Sequence, residues 1–270
     1  MSTRHKPIRL FSGIFLVLVL AWMGVSIPAN AGTAQYVGGV NVGYPQNGRH
    51  WWGKCLVQDF KGGPHGWAIV SYTGGTHIVR GGLLFGWFDQ KGAPGSLGCP
   101  IENEHTIAGA TGFQVQHFQH GILYWNPGMD HAKLVSATVE RAVEWAVGCT
   151  RGGCTYHSGS TVAANYYMWC LAFVYDAYAV RSNKTPQGPH TSAIDWWKRA
   201  PGVRHQDSNP PRGVFVFWNK SGYNPDGHVA LSLGNGWLVT TGAFGKRSLR
   251  VDRLQNYATK SYGYLGWMTP

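Results

Sequence analysis

A duplicated, glycine-punctuated pattern constrains this chain more than any other feature. Val42-Gly43-Tyr44-Pro45 recurs as Leu97-Gly98-Cys99-Pro100, and Val57-Gln58-Asp59-Phe60 before Gly62 recurs as Val115-Gln116-His117-Phe118 before Gly121. The offsets, 55 and 58 residues, fit one unit copied with small insertions. Short apolar runs such as Trp67–Tyr72 and Gly121–Trp125 end at glycine turns or at Asn126-Pro127-Gly128. Units this short cannot bury a face alone, so the pattern predicts small β-rich repeats stacked on one another. Two matches at nearly equal offsets outweigh coincidence, even in a chain with 38 glycines. Those glycines show no three-residue period, which excludes collagen.

The residues ahead of the duplication read as a targeting segment. Arg4, Lys6 and Arg9 precede the almost wholly apolar run Leu10–Ile27; Pro28 ends it, and Ala29-Asn30-Ala31 gives a small-x-small cleavage pattern. Eighteen residues approach the minimum for a membrane span, but the cleavage pattern and Pro28 favour a signal peptide over residues 1–31. No later window is apolar enough to span a bilayer. Export makes thiols pair, and five cysteines leave one over. Cys149 and Cys154 bracket a short glycine-bearing loop, and Cys55 and Cys99 lie in the same half. On the chain-entropy model the longer bridge would stabilise by about 4 kcal/mol and the shorter by about 2. Spacing alone leaves the pairing open, and on this reading Cys170 is the remaining thiol. No zinc-type Cys/His spacing is present, so no metal and no cofactor is expected.

Loss of the three leader bases takes the formal net charge from +11 to +8. The remaining bases are scattered, and the densest group, Lys246-Arg247 with Arg250 and Arg253, is interrupted by Asp252. That argues against nucleic acid and fits residence beside an anionic cell envelope. The Leu97–Trp125 layout, L-G-x-P and then Q-x-F-x-x-G-x-x-Y-W, resembles an LGFP repeat, and residues 42–72 look like a degenerate copy. The resemblance implies cell-wall association, with residues 32–130 as a wall-binding region. His117 and His120 are read as surface or turn histidines, because on a strand they point to opposite sides.

From about Asp130 the period changes to 3.6. Val139, Val143 and Ala146 form a stripe, Glu140, Arg141 and Glu144 are expected to face out, and Gly148 reads as a C′ stop. A second helix is predicted from about Trp169 to Val180, with Cys170, Phe173, Val174 and Ala177 on one stripe. Cys170 then falls in the first turn, where the helix dipole is expected to lower its pKa. A buried structural cysteine is the plainer alternative. Downstream, Val214–Trp218 and His228–Leu233 read as buried strands, and Gly234-Asn235-Gly236 as a hairpin turn leading into Trp237–Thr241. His228 at a strand start is a candidate base for Cys170. Asp195-Trp196-Trp197 reads as part of a short helix stopped by Pro201, more in keeping with packing than with a subsite.

The order of these elements, a helix-borne Cys and then P-x-x-G-strand and G-H-V-strand-G-N-G-strand, resembles the papain-like NlpC-type cell-wall hydrolases and their CHAP relatives over residues 136–245. The resemblance implies a papain-like α+β domain at 131–270 behind the small β-rich repeat domain. It also implies Cys170 as nucleophile, His228 as base and Thr240, twelve residues on, as the orienting residue. Asp226 and Asn235 are alternatives for that third role. Tyr156, in a segment like the family's Y-x-W-G, and Trp169 are the candidate substrate contacts. The chain departs from the family in reading Trp169-Cys170-Leu171 in place of D-C-S, and Gly213-Val214 in place of G-D. The implied function is a secreted, monomeric peptidoglycan hydrolase acting through a thioester. The rival is a non-catalytic wall-binding protein. A thiol transamidase is a third reading, separable by trapping with amines, and no H-x-x-E-H or H-E-x-x-H spacing supports a zinc amidase.

Overall fold

In the computed structural model the described residues are 33–152, 154, 169–182, 192–222, 224–242, 248–258 and 263–270. The expected leader, Tyr156, Lys246 and Arg247 lie outside them. Strands β1 (Gln35–Val37), β2 (Val40–Pro45), β3 (His50–Trp52), β4 (Cys55–Gly63), β5 (Gly66–Ser71) and β6 (His77–Arg80) form a sheet in the order β1-β2-β4-β5-β6, with β3 also paired to β4. Its alternation separates two cores. Cys55, Val57, Ile69 and Val79 point to one side, and Phe60, Ala68, Val70 and Ile78 to the other.

Helix α1 (Gly81–Asp89) covers the first of these sides. The sequence pattern alone suggested only strands and turns here, because Gly-Gly-Leu-Leu-Phe-Gly-Trp-Phe lacks helix formers. Tertiary packing overrides propensity. Leu83, Leu84 and Trp87 are buried, while Gly82 and Gly86, one turn apart, let the helix backbone lie against Trp125 and Ala132. A Cβ at Gly86 would sit 2.5 Å from the Ala132 carbonyl oxygen. The Cys55–Cys99 disulfide lies in this core, with Cα atoms 5.6 Å apart.

A second sheet, in the order β10-β9-β8-β7, contains β7 (His105–Thr106), β8 (Gln114–Phe118), β9 (Gly121–Trp125) and β10 (Lys133–Val135). It repeats the backbone arrangement of β2 and β4. Pro45 is opposite Phe60, as Pro100 is opposite Phe118. The amide of Gln46 donates to Asp59 O at 2.9 Å, as that of Ile101 donates to His117 O at 3.0 Å. Gln58 Nε2 donates to Asn47 O at 2.8 Å, as Gln116 Nε2 donates to Glu102 O at 2.9 Å. Gly43 and Gly98 both occupy the left-handed region, at φ +91° and +70°. The duplication read from the sequence is thus a duplicated hydrogen-bond scheme.

Helix α2 (Ala137–Gly148) is capped by Ser136, whose side chain accepts from the amide of Val139. Gly148 is not the expected C′ stop. It stays right-handed at φ −55°, and the chain runs on into a 3₁₀ turn at Cys149–Arg151, closed by the Cys149–Cys154 disulfide. Helix α3 (Cys170–Ser182) buries Cys170, Phe173, Val174 and Ala177, and α4 (Ala193–Arg199) buries Trp196 and Trp197. The helices pack on a sheet ordered β11-β16-β12-β13-β14-β15, built from β11 (Arg204–His205), β12 (Phe215–Trp218), β13 (His228–Gly234), β14 (Trp237–Thr240), β15 (Arg250–Arg253) and β16 (Tyr264–Met268). Every pairing among the described strands of the three sheets is antiparallel. Asn235 and Gly236 take φ +52° and +71°, the signature of the predicted two-residue hairpin.

One core runs from the second sheet into the helices, joining Phe113, Val115, Ile122 and Tyr124 with Val143, Phe173 and Leu231. Asn126 Nδ2 reinforces the join by donating to Leu233 O at 2.6 Å. Among the described residues, no helix is long and apolar enough to cross a membrane.

Candidate active site

Cys170 lies on α3, His228 on β13 and Thr240 on β14. Phe215, Phe217, Val229 and Leu231 face the helices, and Val216, Trp218 and Ala230 face the opposite core. Cys170 opens α3, which packs on β13, and belongs to neither disulfide. The amides of Val229, Leu171 and Cys170 itself act on its thiol to lower its pKa.

His228 is 3% exposed, paired across the sheet with Trp218, whose ring centroid is 5.6 Å from its own. Its Nε2 lies 2.7 Å from Thr240 Oγ1 on the neighbouring strand. Thr240 donates its hydroxyl to Thr241 O at 3.4 Å. In this contact one group donates and the other accepts, with the direction set by the imidazole tautomer. Of the alternatives for the orienting role, Asn235 is excluded by position. It sits in the hairpin turn at the far end of β13, with Nδ2 donating to Pro127 O at 3.2 Å. Asp226 is exposed on the loop before His228. Trp169, 48% exposed, flanks Cys170.

The electrostatics reverse one expectation. Burial pushes the Cys170 thiol up to about 11, against the pull of the Val229, Leu171 and Cys170 amides, and the Asp226 carboxylate adds to the rise. The cost of a desolvated thiolate therefore exceeds the gain from the helix terminus. Burial likewise pulls His228 down to about 3, helped by the Arg250 cation. At neutral pH this site holds a protonated thiol and a neutral imidazole.

A buried ion pair escaped the sequence reading. Glu140 was expected to face out, yet Glu140 and Arg212 are both 1% exposed at the side chain. Arg212 Nε donates to Glu140 Oε2 at 2.8 Å, a second guanidinium nitrogen donates to Oε1, and a third to Leu233 O at 3.0 Å. The guanidinium also lies 4.6 Å from the Tyr124 ring centroid. One signal was available: Glu140, Val143 and Val147 share a helical stripe as well as Val139, Val143 and Ala146 do. His117 and His105 pair with Glu102 at 2.8 and 3.2 Å, and His105 also meets Glu144 on α2 at 3.3 Å. Among the described residues, no cluster has the makings of a metal site.

Comparison with known proteins places an LGFP repeat at residues 97–141. No curated protein matches the chain. Among solved structures, NlpC2 from Trichomonas vaginalis is 19% identical, covering 58% of this chain and 57% of its own at a TM-score of 0.34. An NlpC/P60 family protein from Bacillus cereus ATCC 10987 is 17% identical, covering 58% and 50% at 0.33. Ly7917 is 17% identical, covering 49% and 62% at 0.32. The chain spans less than two thirds of the length of each, and likenesses this distant say nothing about activity.

Proposed function

We propose that the protein is an exported peptidoglycan hydrolase that cleaves an amide of the stem or cross-bridge peptide through a Cys170 thioester. In this reading residues 1–31 are a removed leader, 32–130 bind the cell wall through LGFP-type repeats, and 131–270 form a papain-like catalytic domain. The observation that carries it is the junction of α3 with β13, where Cys170 opens the helix that packs on the strand begun by His228, whose ring meets Thr240. The thiol proton passes to His228, sulfur attacks the amide carbonyl, and the imidazolium protonates the departing amine as the C–N bond breaks. Water, deprotonated by the same imidazole, then hydrolyses the thioester. Helix N-terminal amides, including that of Cys170, stabilise the oxyanion. Two disulfides fit a location outside the cytosol, and the LGFP repeat supplies the cell-wall partner.

The test is mass analysis of purified peptidoglycan incubated with the protein. Wild type releases muropeptide fragments and Cys170→Ala releases none, whereas equal release by the variant removes Cys170 from the reaction. One observation favours a second reading. A thiol near 11 and an imidazole near 3 are poorly matched for proton transfer, which suits a papain-like fold kept for wall binding alone. Sedimentation with peptidoglycan without any fragment release selects that reading.

A further inference from the structure

We propose that a cavity inside the second repeat binds the carboxylate end of a short peptide with small aliphatic side chains. The inference rests on the wall-binding part of the proposed function and names the component bound: the peptide of the wall, not its glycan. The cavity has a volume of about 580 Å³, within the usual range of ligand sites. Strands β8, β9 and β10 and the start of α2 wall it, and its lining residues run from Ile101 to Ala137. It therefore lies wholly within the repeat matched at 97–141.

Ile101 and Leu134 line the cavity and are 54% and 52% exposed. Exposed aliphatic side chains gathered round a concavity mark a binding site. The first copy lacks this character. Gln46 and Asp59 there make the backbone contact that Ile101 and His117 make in the second, and the Asp59 carboxylate is held by Asn47. On a continuous strand His117 and His120 would point to opposite sides. However, β8 ends at Phe118 and His120 lies in the turn to β9, so both imidazoles line the one cavity. His117 Nδ1 lies 2.8 Å from Glu102 Oε1. An ionised carboxylate only accepts, so Nδ1 carries the proton and Nε2, in the neutral ring, accepts an amide N–H from a ligand. His120 is exposed and supplies an N–H for a carboxylate. No acidic residue lines the cavity, so a carboxylate meets no like charge on its wall. Ser136 is already occupied in capping α2. An amide donor, small aliphatic side chains and a terminal carboxylate together match this lining. Phe118 is buried and offers no open face to a sugar ring.

The test titrates the intact protein with N-acetyl-alanyl-alanine, as L,L and D,D isomers, with its C-terminal amide, and with tetra-N-acetylchitotetraose. The ring signals of His117 and His120 are followed by NMR, which separates this cavity from the Cys170 site. At least one isomer of the free acid is expected to shift both rings and to bind about fivefold tighter than its amide, the upper range for an exposed charged contact. His120→Ala should lose that preference, read at His117. Ile101→Gln with Leu134→Gln, both at exposed positions, should weaken acid and amide alike by about tenfold. The proposal is overturned if neither isomer shifts the rings, if the double variant binds as wild type does, or if the chitotetraose alone shifts them. Sedimentation with intact peptidoglycan runs in parallel. Sedimentation without dipeptide binding keeps the wall-binding function and removes this site, whereas dipeptide binding at the two rings without sedimentation supports the site and removes the wall-binding function.

Discussion

The repeat-built half and the helix–sheet half bury polar groups in different ways. Among the described residues before 130 the buried polar side chains are neutral, namely Ser71, Gln116 and Asn126, and the last two serve backbone carbonyls. After residue 136 the described buried set includes Glu140, Asp176, Arg212 and His228. A scheme of glycine conformations and amide-to-carbonyl bonds copies easily, since it depends little on neighbouring side chains, and the duplication shows this. Where the copies differ, the carboxylate changes sides. Asn47 beside Asp59 in the first copy becomes Glu102 beside His117 in the second, and there a bridge through His105 reaches α2. Ionisable burial is costly unless paired, so its concentration around α2, α3 and β13 marks where the molecule departs from packing alone.

The largest effect that tests this contrast is acid sensitivity. His228 is held near 3 in the folded state against about 6.5 when unfolded. The unfolded chain therefore binds the extra proton as pH falls from 6.5 toward 3, and folded stability drops across that window. Relative to His228→Gln, wild type should lose about 5 kcal/mol between pH 7 and pH 3, followed by urea unfolding at stepped pH down to the point where wild type unfolds. Parallel curves for the two proteins would show that the imidazole is not held neutral.

The buried pair comes next. Arg212→Met strands Glu140 and should cost about 3–5 kcal/mol at neutral pH, while adding Glu140→Leu should recover most of it. If the double variant is as weak as the single, the pair is not the source of the loss, and the Arg212 bonds to Leu233 and the Tyr124 face carry it instead.

What the sequence made legible was local. Gly43, Gly98, Gly234 and Gly236 announce turns by residue type alone, and Cys149 with Cys154 announces a short closed loop. His228 and Thr240, twelve apart, meet because a seven-residue strand and a two-residue turn return the chain beside itself. Features set by distant neighbours stayed hidden. Helix α1 depends on Trp125 and Ala132, Glu140 turns inward only because Arg212 arrives 72 residues later, and the Cys170 thiol rises because of everything packed over it.

The two copies give a smaller, internal form of the contrast. Gln116 is fully buried and serves two carbonyls, Ile78 O and Glu102 O, whereas Gln58 is half-buried and serves Asn47 O while accepting from the Tyr72 hydroxyl. Gln116→Ala should cost about 1–3 kcal/mol by leaving buried carbonyls unpaired, and Gln58→Ala less than about 1. Equal losses in denaturant unfolding would mean that the copies are energetically as well as geometrically equivalent.

The smallest effect is expected at Asp89 and His131, an exposed pair 2.8 Å apart at the end of α1, with His131 also stacked on Phe85. Each side chain is 51% exposed, so water competes for both partners and the entropy of fixing them offsets the attraction. Asp89→Asn should change stability by less than about 0.5 kcal/mol at neutral pH, read from the midpoint of thermal unfolding. A loss above about 1 kcal/mol would put a strongly coupled charge in the repeat half, where the described buried polar groups are neutral, and would erase the distinction drawn between the halves.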